Sequence, residues 1–125
     1  MGQPGLESFD PAFADEVALL MQWAFAHMQA DGGSSVYLRL TTRQIEQQAR
    51  KDDSWQQGAI AGAYWLREPA PGAKAAIAYS GAVAPEALSA WEQLQDDLPG
   101  LGLLAVTSPD RLHRDWSAAR AARWQ

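Results

Sequence analysis

The tightest constraint on this chain is a short apolar run, Leu103-Leu104-Ala105-Val106, set between a stop signal and a start signal. Pro99-Gly100 ends whatever element precedes it. Thr107-Ser108-Pro109-Asp110 opens a helix, with Ser108 at the N-cap and Pro109 at the first helical position. Four consecutive apolar residues without alternation suit a strand covered on both faces, the usual setting of a parallel strand. Upstream, Ala75 to Tyr79 reads as a strand of small residues suited to the same setting. Ser80-Gly81 then turns the chain into a helix that starts near Pro85, with Ala87, Leu88, Trp91, Leu94 and Leu98 on its inner face. A strand–helix–strand unit of this kind is a right-handed crossover between parallel strands, so the class is α/β. The last helix carries Leu112, Trp116 and Ala119 inward, with Arg120 and Arg123 near its C-terminal end, where the helix dipole favours positive charge. Few strands are present for a doubly covered sheet, and a further strand is expected beyond Gln125.

The N-terminal half has its own punctuation. Residues 1–8 read as a loose leader. Asp10-Pro11 predicts a helix start, with Asp10 as N-cap, and Asp15 and Glu16 follow in the dipole-favoured first turns. Phe13, Val17, Leu20, Met21, Ala24 and Met28 recur at helical spacing, and Leu19, Trp23 and Phe25 widen that face. A helix apolar around so much of its circumference is expected to be buried on more than one side. Asp31-Gly32-Gly33 ends it, Val36 to Leu40 reads as a strand, and Thr42 to Arg50 as a short polar helix. Lys51 to Gly58 is the best linker, and Ile60 to Leu66 a second strand before the turn at Glu68 to Gly72. The linker predicts that the helix over 11–30 and the strand over 103–106 belong to separate cores.

Composition excludes several classes. There is no cysteine, so disulfides, thiolate metal sites and cysteine nucleophiles are absent, which suits a cytoplasmic protein. The net charge is −5, and phosphate backbones require clustered Lys and Arg, so nucleic acid is not a natural partner. No apolar run approaches the roughly 20 residues that span a bilayer, so no membrane partner is expected. Six tryptophans need a substantial core or a neighbouring surface, and self-association is expected.

Residues with chemistry are few. Arg39 and Arg43 flank a strand end and form a possible carboxylate or phosphate site, although ordinary ion pairing at the sheet edge is the favoured account of them. Ser80-Gly81, between a strand and a helix, is a possible anion site at the C-terminal edge of a sheet. It lacks a full glycine-rich pattern and a P-loop lysine, and the nucleophile-elbow glycines are missing around Ser80. His27 reads as a partly buried structural residue beside Trp23, and His113 as solvent-facing. Neither has a second histidine at metal spacing. Asp96-Asp97 reads as solvated, and Arg111, Arg114, Arg120 and Arg123 do not share one helical stripe. A freestanding α/β module that binds a small anion at Ser80-Gly81 is one function these residues allow.

A second function comes from resemblance. The run Ser-Phe-Asp-Pro-Ala-Phe-Ala-Asp-Glu-Val-Ala from Ser8 to Ala18 is similar to the helix after the active-site histidine region of homodimeric pyruvate dehydrogenase E1 chains. Tyr37 to Arg43 resembles the strand that follows. Gly62 to Arg67 and Ala76 to Ala87 resemble the opening of the transketolase-type C-terminal domain, and Leu103 to Trp116 its next strand and helix. The resemblance implies that residues 1–50 are the tail of the pyrimidine-binding middle domain. Residues 51–125 would be the first part of a three-layer α/β C-terminal domain. It implies a homodimeric parent that decarboxylates a 2-oxo acid with thiamine diphosphate and Mg2+ and passes the acyl group to a lipoyl-bearing acyltransferase. It assigns no catalytic, cofactor or metal residue to this chain. The family's Gly-Asp-Gly segment is missing, and there is no Asn anywhere to serve as the second Mg2+ ligand. Glu16, Glu46, Glu86 and Glu92 fall on expected helices rather than against a cofactor ring.

Overall fold

The structure is a computed structural model that describes residues 5–124. The chain runs β1 (Leu6–Phe9), α1 (Ala14–Gln29), β2 (Ser35–Leu38), α2 (Trp55–Ala61), β3 (Ala63–Arg67), β4 (Ala76–Ser80), α3 (Ala84–Gln93), β5 (Gly102–Val106) and α4 (Pro109–Arg123), with a single 3-10 turn before α3. Two sheets form. β1 and β2 pair in parallel, and β5 lies between β3 and β4 in the second sheet, antiparallel to β3 and parallel to β4. The expected strand–helix–strand unit is therefore β4–α3–β5. Ser108 caps α4 as its sequence requires, its Oγ accepting from the Arg111 N–H at 3.2 Å.

Side-chain alternation explains which faces close. Tyr64, Tyr79 and Ala105 are cross-strand neighbours on one face of the second sheet, and Leu103 joins them. They form one core with Phe13, Ala59, Ala84 and Ala87. Trp91 of α3 packs on it and donates its indole N–H to the Leu101 carbonyl at 2.6 Å. The opposite face, with Trp65, Ala76 and Ala78, is exposed, so within this chain β4 is covered on one side rather than two.

Several expectations are corrected. Residues 6–8 belong to a strand, not to a leader, because Glu7 points inward and is neutralised by two arginines of α4. The rest of the expected leader, residues 1–4, lies outside the described residues. Helix α1 starts at Ala14, not Pro11. The Asp10 N–H is taken by the Thr107 carbonyl at 2.7 Å, and Phe13 stays extended as N-cap while Glu16 accepts its N–H at 3.0 Å. No helix forms over 42–50. That segment lies along α1, where Gln47 accepts the Asp15 N–H at 3.1 Å and Arg50 grips Asp15 at 2.7 and 3.0 Å. The expected linker contains most of α2, whose seven residues are too few to show a period. The separate cores are also corrected: Phe13 shares a cluster with Leu103 and Ala105. Trp116 and Ala119 face outward, since α4 packs on β1 through its first turns and leaves its far end free.

Candidate functional site at the C-terminal strand edges

The two sheets meet along β1 and the end of β5. Ser108 donates its hydroxyl to the Ser8 carbonyl at 2.6 Å, beside the bond from the Asp10 N–H to the Thr107 carbonyl. This seam directs the C-terminal ends of all four parallel strands to one place. A cavity of about 440 Å³ lies there, lined by Asp10 and Pro11 after β1, Arg39, Leu40 and Thr41 after β2, Ser80, Gly81 and Ala82 at the end of β4, and Pro109 at the start of α4. C-terminal strand edges are the usual place for ligands on open α/β sheets. Gly81 is required at its turn, with φ +69° and its absent Cβ aimed at Asp10.

Three of the four residues proposed from sequence gather at this cavity: Arg39, Ser80 and Gly81. Arg43 lies next door, in a groove with Pro11, Leu40, Thr41 and Ile45. Its guanidinium reaches Glu86 at 2.8 and 2.9 Å and the Ala82 carbonyl at 3.2 Å. The Glu86 hydrogen bond raises the Arg43 pKa, and Arg43 in turn lowers that of Glu86. Arg39 is 3.3 Å from Asp10 through Nε, and its side chain is 72% exposed, so most of its donors face water. The Ser80 hydroxyl is buried without a partner. Chemically the site offers one accessible guanidinium, one carboxylate and a strand-to-helix turn. It can hold a small anion, but neither histidine lines it to move a proton. His27 stacks on Trp23 at 4.5 Å and accepts the Ser34 N–H at 3.2 Å. His113 is exposed on α4.

The charged residues that sequence reasoning missed are inside. Glu7 is 8% exposed and binds Arg111 at 3.0 Å and Arg114 at 3.0 and 2.5 Å. The Arg114 hydrogen bond, with Arg111 behind it, holds the Glu7 carboxyl below its ordinary range against the opposing cost of burial. Glu16 is 1% exposed. One oxygen accepts the Ala12 and Phe13 N–H groups, and the other accepts the Tyr64 hydroxyl at 2.5 Å. Burial, then the Glu16 carboxyl, push the Tyr64 and Tyr79 pKa values far up. The Arg50 guanidinium sits 4.1 Å over the Trp55 ring in the same region. The spacing of Glu16 three residues after the N-cap was the available signal, but it was visible only once the cap was placed at Phe13. Glu7 has no local signal, since its partners are more than a hundred positions away. Each carboxyl accepts from three donors and acts as a fastener. Among the described residues no three His, Asp or Glu side chains gather to hold a metal ion, and no helix is long and apolar enough to cross a membrane.

No protein-family model matches the chain, and no curated protein does. Solved structures do, among them a transketolase from Leishmania mexicana, with a TM-score of 0.70 at 20% identity. The superposition covers 89% of this chain and 15% of the transketolase. The chain therefore has a transketolase-like α/β fold, of the C-terminal-domain kind.

Proposed function

We propose that this chain is a non-catalytic structural and interface portion of a cytoplasmic, thiamine-diphosphate-dependent E1 enzyme of the homodimeric pyruvate dehydrogenase type. On this reading residues 1–50 close the middle domain and residues 51–125 open the C-terminal domain. The observation that carries it is the transketolase-like fold running across both segments, in the order in which the E1-like runs occur in the sequence. The parent would decarboxylate pyruvate and acylate a lipoyl group on an acyltransferase partner. When bound, thiamine diphosphate would supply the electron sink for that chemistry. The residues here do not fit a Mg2+–diphosphate site, which wants hard oxygen ligands in octahedral array. There is no Asn, Asp31-Gly32-Gly33 is the turn that ends α1, and the buried carboxyls of Glu7 and Glu16 are already filled by N–H and O–H donors. Calorimetric titration with thiamine diphosphate and Mg2+ should give no saturable heat. A chimera carrying residues 8–125 in place of the matching segment of a homodimeric pyruvate dehydrogenase E1 should still assemble and turn over. Saturable cofactor binding by the chain alone, or a chimera that folds but cannot assemble, would overturn the reading.

A second reading is favoured by one observation, the convergence of Arg39, Ser80 and Gly81 on the cavity. On that reading the chain binds a small anion there by itself.

A further inference from the structure

The cavity at the C-terminal strand edges holds a charge pair that is incomplete on both sides. Arg39 Nε lies 3.3 Å from Asp10 Oδ1, and among the described residues neither side chain has another polar partner. Glu7, by comparison, accepts from three guanidinium N–H groups. A carboxylate only accepts and a guanidinium only donates. Asp10 therefore keeps acceptor capacity at the cavity, and Arg39 keeps the donors of its Nη edge. The Ser80 hydroxyl borders the same space, buried and without a partner. The strand-to-helix turn and the carboxylate stand against each other, since a Cβ on Gly81 would lie 3.6 Å from that of Asp10. Part of the remaining wall is apolar, with Leu40 57% exposed and Pro109 also exposed.

We propose that this cavity binds a free α-amino acid with an aliphatic side chain, its carboxylate on Arg39 and its ammonium on Asp10. The proposal rests on the second reading above, that the cavity takes an anion, and it names the class of that anion. Charge selects a dipolar ligand. A simple anion drawn to Arg39 meets the like charge of Asp10 beside it, and a simple cation drawn to Asp10 meets Arg39. A ligand with both charges gives each group a charge-assisted hydrogen bond and meets neither repulsion alone. Spacing selects the α-amino acid. The two protein charges are in contact at 3.3 Å. The ligand's charges must then be neighbours too, as they are across a single carbon and not at the two ends of a longer chain. The planar Nη edge of an arginine suits a carboxylate in particular. The exposed Leu40 and Pro109 select the side chain, because an aliphatic group laid on them takes apolar surface out of water. At about 440 Å³ the cavity is of a size that holds small molecules.

The test is a titration of the whole chain in chloride buffer, followed by amide NMR shifts of Thr41, Gly81 and Ala82. The probes are L-leucine, isocaproate, isopentylamine and inorganic phosphate, each up to about 20 mM. Isocaproate is leucine without its ammonium, and isopentylamine is leucine without its carboxylate. L-leucine should shift these amides saturably, and the other three should bind about tenfold more weakly or worse. Glycine should bind more weakly than L-leucine, and equal binding would overturn the aliphatic requirement. Asp10→Asn keeps the backbone bond to Thr107 and should weaken L-leucine about tenfold while strengthening isocaproate and phosphate. Arg39→Ala should abolish binding of all three. If Asp10→Asn fails to fold, the four probes on the wild type decide. Isocaproate or phosphate binding as tightly as L-leucine overturns the amino-acid proposal and leaves the anion reading standing. Isopentylamine binding as tightly as L-leucine, or no saturable shift with any probe, overturns both.

Discussion

Glu7 and Asp10 lie three residues apart, yet their arginines do opposite work. Glu7 points into the seam between β1 and α4 and is gripped by Arg111 and Arg114, one of them largely shielded from water. Asp10 points to the cavity, and its partner Arg39 is mostly in solvent at 3.3 Å. The first fastens β1 to α4; the second leaves most of a guanidinium in water. The difference is not the presence of an ion pair, which both carboxylates have. It is one of burial and of how many donors each carboxylate receives, because water competes for an exposed pair and not for a buried one.

The largest effect should come from the seam's apolar centre. Phe13 is fully buried and joins the start of α1 to Leu103 and Ala105. Phe13→Ala should cost about 3–5 kcal/mol in urea unfolding, enough to unfold much of a small domain. A loss shared by far-UV and tryptophan signals in one transition would show that the two sheets unfold together. Separate transitions would restore the independent cores that the linker composition suggests.

A smaller effect belongs to the ionic fastener. Glu7→Gln leaves the largely shielded Arg111 without its charge partner and should cost about 2 kcal/mol. It should also change the pH profile. The folded Glu7 carboxyl titrates below its ordinary 4.5, so between the two values the unfolded chain holds the extra proton. Stability from Glu7 is therefore full above 4.5 and lost as pH falls through the lower, folded value. Chemical denaturation at a series of acid pH values should show this loss in the wild type and a shallower one in Glu7→Gln. Equal slopes would remove Glu7 from the seam's energetics.

The smallest effect on stability should come from the rim. Arg39→Ala should leave the urea midpoint unmoved, since an exposed ion pair contributes little. If the cavity takes small anions, the same substitution should abolish any heat of inorganic phosphate binding seen with the wild type, while Arg43→Ala, already engaged by Glu86, should keep it. Phosphate binding that survives Arg39→Ala would place the anion elsewhere.

Much of the second sheet was legible from local sequence. β5 is an unbroken apolar run, and α4 begins with Ser108-Pro109, so pattern and cap agree with the fold. The parallel β4–α3–β5 unit follows from those signals. The first sheet was half legible. β2 shows alternation, with Val36 and Leu38 half-buried and Tyr37 exposed, but β1 carries a charge at an inward position and reads as a loop. Of the cavity, Arg39, Ser80 and Gly81 could be named as candidates, but nothing local says that they meet.

The amino-acid sequence by itself determined the α/β class, the caps and breakers that set most element ends, and the absence of the cysteine and asparagine chemistry that would have widened the functional choices. Those properties are local: periodicity, capping and composition act over a few residues. Tertiary structure alone decided that Glu7 could be buried, that Phe13 would leave its helix to enter the core of the other sheet, and that four strand ends would share one cavity. It also decided which apolar face of α1 is covered. Each of these rests on a contact between residues far apart in the chain. The stability of a buried charge or an apolar face depends on what stands opposite it, and no local pattern carries that information.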